Sequence, residues 1–326
     1  MNPAFSVIFL TTLIGAGQGL FLALFTAQSY ALFNLLPPQD SRTFYAVGSL
    51  IALVLSALGL ISSFLHLGRP ERAWRSAAMW RTSWLSREVI VLPAFMAVVF
   101  AYGLAHFTGW RPVIATLPDN IVIDATAVLG IAGTVLAFAL FVSTAMIYAC
   151  LPFLREWHSP LTIVNYILLG GASGFTLAAG FAVIHAPNLS RFFAAWAIIL
   201  TLLGLASRGA SLLRNARLRP KSTLQTTIGI KHPRILQKSM GFMGGSFNTR
   251  EFFHGKSQAA LRSVKWVFLA AAFVLPALLL AAGLWVNWPA ALPLAFVVQY
   301  VGLLAERWFF FAEANHPQNL YYQAIA

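Results

Sequence analysis

The residues best suited to chemistry lie in one segment, SFLHLGRPERAWRSAAMWRTSWLSREV, at positions 63–89. His66 ends one apolar stretch and Glu88 begins the next, so the connection between them brings both side chains to one interface. An ionisable side chain at such a depth is costly and is by default a functional candidate. Both groups can give or take a proton, which is what the reduction of a quinone requires.

Aromatic and basic residues of the same segment extend this quinone hypothesis. The rings of Trp80 and Trp84 could flank a quinone ring, and Arg81 belongs to the same candidate set for quinone binding and proton transfer. A plainer interpretation stays open, in which the histidine caps a helix and Glu88 pairs with Arg87 or Arg81 at the interface. The residue types alone do not decide between the two.

The composition requires elements that span a membrane. The 326 residues are 59% hydrophobic and 10% charged, with a mean hydropathy of +0.75, which excludes a soluble domain of ordinary composition. The net charge of +13 falls between apolar runs, which argues against nucleic-acid binding. About 20 apolar residues cross the hydrocarbon, and the backbone inside lipid is satisfied by helices. The sequence therefore predicts an all-α integral membrane protein, a single domain (1–326) and an eight-transmembrane-helix bundle, with spans near 5–33, 45–66, 88–110, 122–150, 162–185, 191–213, 266–287 and 291–313.

Lysine and arginine predict the orientation of this bundle. The connections between spans two and three, four and five, and six and seven hold 17 of the 22 Lys and Arg residues, whereas the opposite connections hold Arg42, Arg111 and Arg191. By the positive-inside rule, the basic connections and both termini face the cytoplasm.

The connection at about 214–265 is the longest segment outside the predicted spans. It is basic, yet it also carries apolar residues that a solvated loop gains nothing by exposing. We therefore predict a docking surface for a partner. A loop that packs on its own bundle or lies on anionic lipid is the alternative.

Metal chemistry on this chain is not expected. The single cysteine, Cys150, can form neither an internal disulfide nor a zinc or iron–sulfur site by itself. Haem between two histidines is the remaining option, with His106 and His185 near the outer ends of their spans and further histidines on the inner side. Haem is disfavoured because no span carries a histidine near mid-membrane.

Charged residues within the spans have simpler interpretations. Glu306 and Arg208 form a possible interhelical pair, for which a structural salt bridge is favoured over a proton path. Asp124 is interpreted as a helix-start residue, although it could begin an outer proton route. A transporter would need more buried polar groups than the spans contain.

Several segments of the sequence together resemble those of one protein family. HLGRPERAW, WRTSWLSREV, FNTREFFHG and ERWFFFAEANHPQNLYY are similar to the membrane-anchor subunits of the dimethyl sulfoxide reductase type, the DmsC-like family, and most to the anchors of quinone-linked, cytoplasm-facing sulfite dehydrogenases. The resemblance runs from PAFSVIFLTTLIGAGQG to the final span, and the combination of strings is specific.

The resemblance implies a three-subunit complex in a bacterial inner membrane. A large subunit would hold molybdenum bis(pyranopterin guanine dinucleotide), a small subunit would hold iron–sulfur clusters, and this chain would bind the quinone, ubiquinone or menaquinone. The catalytic site for the substrate would then lie on a partner subunit, with no metal ligand on this chain. The family pattern implicates His66 and Glu88 in quinone binding, and haem is generally absent.

The resemblance also implies a docking face and a direction of electron flow. Electrons would run from cytoplasmic sulfite through the partner's clusters to quinone. The alternative is the anchor of a dimethyl sulfoxide, polysulfide or similar reductase that takes electrons from quinol. The candidate docking residues for the iron–sulfur and molybdenum partners are Arg69, Arg72, Arg75, Arg250, Phe252 and Phe253.

Overall fold

A computed structural model describes residues 1–65, 67–116, 118, 121–219, 222–236, 255–317 and 319. Within these ranges, eight helical segments are long and apolar enough to cross a membrane, which confirms the predicted all-α bundle. The helices are α1 Phe5–Leu32, α2 Val47–Phe64, α3 Trp84–Thr108, α4 Ala125–Ala149, α5 Pro160–His185, α6 Ser190–Ala216, α7 Leu224–Ile228, α8 Gln258–Leu269, α9 Leu275–Trp285 and α10 Ala291–Glu313.

The second and third spans each begin about four residues earlier than the hydropathy pattern predicts. The second starts with a π-helical segment, Ser41–Ala46, that runs into α2, and the third starts at Trp84 and not at 88. Polar caps explain both starts, because the Asp40 carboxylate accepts a hydrogen bond from the backbone N–H of Thr43 (2.6 Å), and the Ser83 side chain caps α3. Such caps satisfy N–H groups that have no partner within the helix. The bonds from Thr43 also hold the pKa of Asp40 below its usual value.

The seventh span shortens the predicted docking connection. It begins at Gln258, within the predicted 214–265 connection, and continues through α8, a π-helical segment Ala270–Val274 and α9. The Ser257 side chain caps its start by accepting a hydrogen bond from the N–H of Ala260 (3.3 Å). Helix α6 likewise runs on to Ala216, so helical structure enters the predicted connection from both ends.

A small β-hairpin, which the sequence pattern did not predict, joins α3 to α4. Its strands are β1 Val113–Thr116 and β2 Val122–Asp124, paired antiparallel. The second strand leads directly into α4, whose first turn Asp124 caps through the N–H of Ala127 (2.9 Å). This confirms the interpretation of Asp124 as a helix-start residue.

Helices α1 and α5 form the centre of the bundle. In each, 67% of the apolar span window is buried, more than in the other six. Glycines allow the two backbones to touch: a Cβ on Gly174 would overlap the backbone of Gly19, and a Cβ on Gly19 would overlap the carbonyl of Gly170. Gly170 and Gly174 form a GxxxG motif, and only small residues permit this close approach of two helices.

The connections α2–α3, α4–α5 and α6–α8 lie on one side of the bundle, here called the basic face. Cys150, at the end of α4, is exposed on this face. If the basic face is cytoplasmic, a membrane-impermeant maleimide will label Cys150 in inverted vesicles and not in intact cells. Asn188, exposed in the opposite α5–α6 connection, supplies the control. In a Cys150→Ser background, Asn188→Cys should be labelled from outside, and the reverse pattern would contradict the predicted orientation.

Candidate functional site

Glu88 is the buried acid of the predicted segment. It lies in the second turn of α3 and is only 7% exposed. Its carboxylate accepts a hydrogen bond of 2.5 Å from the Thr144 hydroxyl of α4. The side chain therefore points between helices and away from the interface.

Arg87, the neighbouring residue, points the other way. Its Nε donates to the carbonyl of Trp80 (3.0 Å) and one terminal nitrogen donates to the carbonyl of Arg81 (2.9 Å). Its guanidinium also stacks on the Trp84 ring at 4.0 Å. Among the described residues, Glu88 forms no ion pair with either arginine, so the plainer interpretation of a surface pair does not hold.

Glu88 borders a cavity in the half of the bundle near the basic face. The cavity volume is about 20 Å³, which is room for a single water molecule. Five spans contribute to its wall, so a water there would meet hydroxyl, carboxylate and guanidinium groups together. The lining residues are Thr11, Thr12, Ile14, Gly15, Gln18, Glu88, Phe141, Thr144, Tyr166, Leu169, Gly170, Ser173, Leu303 and Arg307.

Arg307 and Tyr166 form the wall of this cavity on the side of α10 and α5. The guanidinium of Arg307 lies 4.0 Å from the centre of the Tyr166 ring, within the range of a cation–π contact. The Tyr166 hydroxyl is buried without a well-formed hydrogen bond among the described residues. A buried hydroxyl of this kind is a natural partner for a cavity water.

A network of buried charges continues from Arg307 towards the basic face. Glu306 lies between two guanidinium groups, 2.7 Å from Nε of Arg208 and 3.2 Å from Nε of Arg307. All three side chains are 5% exposed or less. A terminal nitrogen of Arg208 then lies 3.7 Å from Glu313, whose side chain is 19% exposed at the end of α10. The predicted Arg208–Glu306 pair is therefore present, as part of a larger network.

Three of the predicted quinone residues, Trp80, Arg81 and Trp84, lie outside this cavity wall. Trp80 is 54% exposed, and Arg81 stacks on its ring at 5.4 Å. Trp84 is half-buried beneath Arg87. His66 lies outside the described residues, directly after Leu65 at the end of α2. The structure thus brings Glu88 together with Thr144, Tyr166 and Arg307, while the grouping of Glu88 with His66 and the tryptophans stays a prediction.

The predicted docking arginines lie on a surface element. Arg72 and Arg75 belong to a 3₁₀ segment, Pro70–Met79, that contains no buried residue, and Arg69 precedes it. Arg72 meets Glu71 at 3.8 Å, and Arg75 stacks on Trp74 at 5.5 Å. The other predicted docking residues, Arg250, Phe252 and Phe253, lie outside the described residues.

The histidines weighed as haem ligands make other contacts. His106 is 1% exposed, and its Nδ1 lies 2.9 Å from the Ser41 hydroxyl and 3.1 Å from Arg111. The His185 ring stacks on Phe181 at 4.5 Å. Among the described residues, no group of three or more His, Cys, Asp or Glu side chains is arranged to hold a metal ion.

Comparison with known proteins identifies the family. The model of the DMSO reductase anchor subunit (DmsC) family matches residues 1–322. The chain belongs to the DmsC family. This confirms the resemblance inferred from the sequence strings.

This DmsC-family protein is similar in sequence to two relatives of known name. It is 58% identical, over the full length of both proteins, to a sulfite dehydrogenase subunit of Allochromatium vinosum. It is 27% identical over 185 residues to a subunit of the anaerobic dimethyl sulfoxide reductase of Haemophilus influenzae, a match that covers 57% of this protein and 60% of the relative.

Sequence reasoning missed two residues of the site in this DmsC-family protein. Thr144 carries no sequence signal of function, because a threonine hydroxyl in an apolar span commonly bonds within its own helix. Tyr166 carries none because tyrosine is common near the ends of membrane spans. Arg307 had a signal, since a charge inside a span faces the bundle interior. Its approach to Glu88 could not be read from spacing, because the two residues lie on α10 and α3.

Proposed function

We propose that this DmsC-family protein is the membrane-anchor and quinone-binding subunit of a three-subunit molybdenum and iron–sulfur oxidoreductase that oxidises sulfite. The identity of 58% over both full lengths to a protein named as a sulfite dehydrogenase subunit carries the proposal. The substrate site would lie on a partner. The partners would be a catalytic subunit with the molybdenum cofactor and an electron-transfer subunit with iron–sulfur clusters.

The donor set around Glu88 suits quinone chemistry. A bound quinone would accept two electrons and two protons at its carbonyl oxygens. Glu88 is suited to give and regain a proton, and the Thr144 hydroxyl orients its carboxylate at 2.5 Å. Because the cavity behind Glu88 has a volume of only about 20 Å³, we propose that the quinone ring lies on the other side of this residue. We propose that His66, which follows Leu65 after α2, contributes to the quinone site from that side.

The segment between α2 and α3 would serve two purposes. Its exposed arginines, Arg69, Arg72 and Arg75, offer a basic surface to the electron-transfer partner. Its final residues, Trp80 to Ser83, lead directly into Trp84 at the start of α3, close to the proposed quinone position. A partner docked here would bring its clusters near the membrane interface, which shortens the electron path to the quinone.

The predicted orientation of the bundle favours electron flow from sulfite to quinone over the reverse flow from quinol. The positive-inside rule predicts a cytoplasmic basic face, which suits a complex that oxidises sulfite within the cell. The anchor of a reductase that takes electrons from quinol is the second candidate, and the partial similarity to a dimethyl sulfoxide reductase subunit favours it.

The purified three-subunit complex will decide between these directions. We expect sulfite-dependent reduction of a short-chain quinone, followed optically, and no matching quinol-dependent reduction of dimethyl sulfoxide. The reverse pattern would establish the reductase function. A complex that oxidises sulfite with a soluble dye but never with quinone would contradict the quinone-binding role.

A further inference from the structure

We propose that a groove between α2 and α3, in the half of the bundle away from the basic face, binds one anionic phospholipid. An acyl chain would lie in the groove, and the phosphate would bind Arg42. The groove has a volume of about 280 Å³ and lies between the start of the second span and the last turns of α3. Apart from Arg42 and Ser49, every described residue that lines it is apolar.

The groove owes its shape to small residues between larger ones. Ser49 and Gly103 are buried at its floor, where a Cβ on Gly103 would lie 2.9 Å from the Cβ of Ser49. Leu50 and Phe100 flank the floor from α2 and α3, and both side chains are more than half exposed. The result is an apolar furrow that opens towards the hydrocarbon and not towards the core.

The length of the groove matches one leaflet of a bilayer. From Arg42 to Leu53 the second span rises by about 15 Å, at about 1.5 Å per residue. This is half of a hydrocarbon core about 30 Å thick. A spanning helix of another protein would need a contact surface along the whole core, whereas an acyl chain needs only this half. The depth therefore favours a lipid as the occupant.

Arg42 supplies the binding group for a phosphate at the polar end of the groove. Its side chain is exposed, and its Nε donates a hydrogen bond of 3.0 Å to the carbonyl of Phe107. This bond fixes the guanidinium beside the groove. Its two terminal nitrogens make no hydrogen bond among the described residues, and a guanidinium binds a phosphate through two parallel N–H groups.

Neighbouring charges leave this end of the groove positive. A terminal nitrogen of Arg111 lies 3.1 Å from Nδ1 of His106, in the same last turn of α3 to which Arg42 is bound. The Asp40 carboxylate instead accepts hydrogen bonds from the backbone N–H and the hydroxyl of Thr43, at 2.6 and 2.7 Å. Within the described part of the chain, it forms no ion pair with Arg42. A lipid with a net negative charge therefore fits better than a zwitterionic one.

The experiment uses the complete complex, purified in mild detergent, and phosphatidylglycerol with a photoreactive diazirine on one acyl chain. Phosphatidylethanolamine with the same chain is the comparison, because its ammonium group cancels the charge of its phosphate. The labelled residues are mapped by mass spectrometry of peptides. We expect phosphatidylglycerol to label the segments 46–53 and 99–107 at least about fivefold more than phosphatidylethanolamine, because charge-assisted hydrogen bonds are the stronger ones.

Two pairs of variants test the two parts of the site. Arg42→Gln should reduce labelling by phosphatidylglycerol to the level of phosphatidylethanolamine. Arg191→Gln removes another exposed arginine of the same side, outside the groove, and should label as wild type. Ala46→Leu fills the groove and should reduce labelling, whereas Ala57→Leu, at a half-buried position of the same span outside the groove, should not. The alanine pair tests the site even if Arg42→Gln does not assemble.

Several outcomes would overturn the proposal. Equal labelling by both phospholipids, or wild-type labelling in Arg42→Gln, would mean that the groove does not select an anionic lipid. An equal loss in Arg191→Gln would assign the effect to general charge on this side. A quinone with a photoreactive tail that labels the groove despite excess phosphatidylglycerol would make the quinone tail the occupant. Absence of labelling by either phospholipid would mean that protein covers the groove.

Discussion

Glu88→Gln is expected to abolish quinone-linked turnover while the complex still assembles. Gln has the shape of Glu and keeps an oxygen for the Thr144 hydroxyl, which is 2.5 Å away in the native structure. It cannot carry the proton. General acid–base catalysis contributes about 10²–10⁴-fold, so we expect at least about a 100-fold loss. The measurement is sulfite-dependent reduction of a short-chain quinone by the purified complex.

Dye-linked oxidation of sulfite is the internal control for this variant. It reports the partner subunits without passing through the quinone, so it should stay at the wild-type level. Glu71→Gln removes an exposed carboxylate of the same face, 66% exposed and 3.8 Å from Arg72, and should leave both activities intact. If assembled Glu88→Gln kept its quinone turnover, the quinone site would have to lie elsewhere.

The number and helical type of the membrane spans could be predicted because they depend on hydropathy. Eight apolar runs in the sequence became eight spans, since each must satisfy its backbone inside lipid. The exact starts were less predictable, because caps such as Asp40 and Ser257 begin helices in polar surroundings before the apolar run. A polar helical turn outside the hydrocarbon does not raise the mean hydropathy of a sequence window, so the hydropathy pattern does not show it.

The site was predictable in part, for a different physical reason. Charge inside an apolar span is costly, so Glu88, Arg208 and Glu306 stand out by type alone. Which helices bring them together depends on rotation and packing, which the sequence pattern does not specify. Thr144 does not stand out, because a threonine hydroxyl is tolerated in an apolar helix by bonding to its own backbone, and Tyr166 does not stand out because tyrosine is common near span ends.

Glu306→Gln is expected to destabilise the protein strongly. Glu306 is 1% exposed and neutralises Arg208 and Arg307, which are 2% and 5% exposed. Without it, Glu313, 3.7 Å from Arg208, is the one carboxylate among the described residues that still pairs with either guanidinium group, and Arg307 loses its ion pair. Loss of one partner of a buried ion pair costs about 3–5 kcal/mol. Thermal unfolding of the complex in mild detergent, followed by tryptophan fluorescence, should show a lower midpoint.

A double variant separates the charge effect from a packing effect. Combining Arg208→Met with Glu306→Gln removes one charge of each sign and leaves the net charge of the network unchanged, so the midpoint should recover much of the loss. Coupled residues of one network show such non-additivity, typically about 0.5–3 kcal/mol. Arg208 also stacks on Phe268 at 5.6 Å, a contact that the apolar methionine can replace in part. If the double variant were as unstable as the sum of both single variants, the network would stabilise the bundle through shape and not through charge.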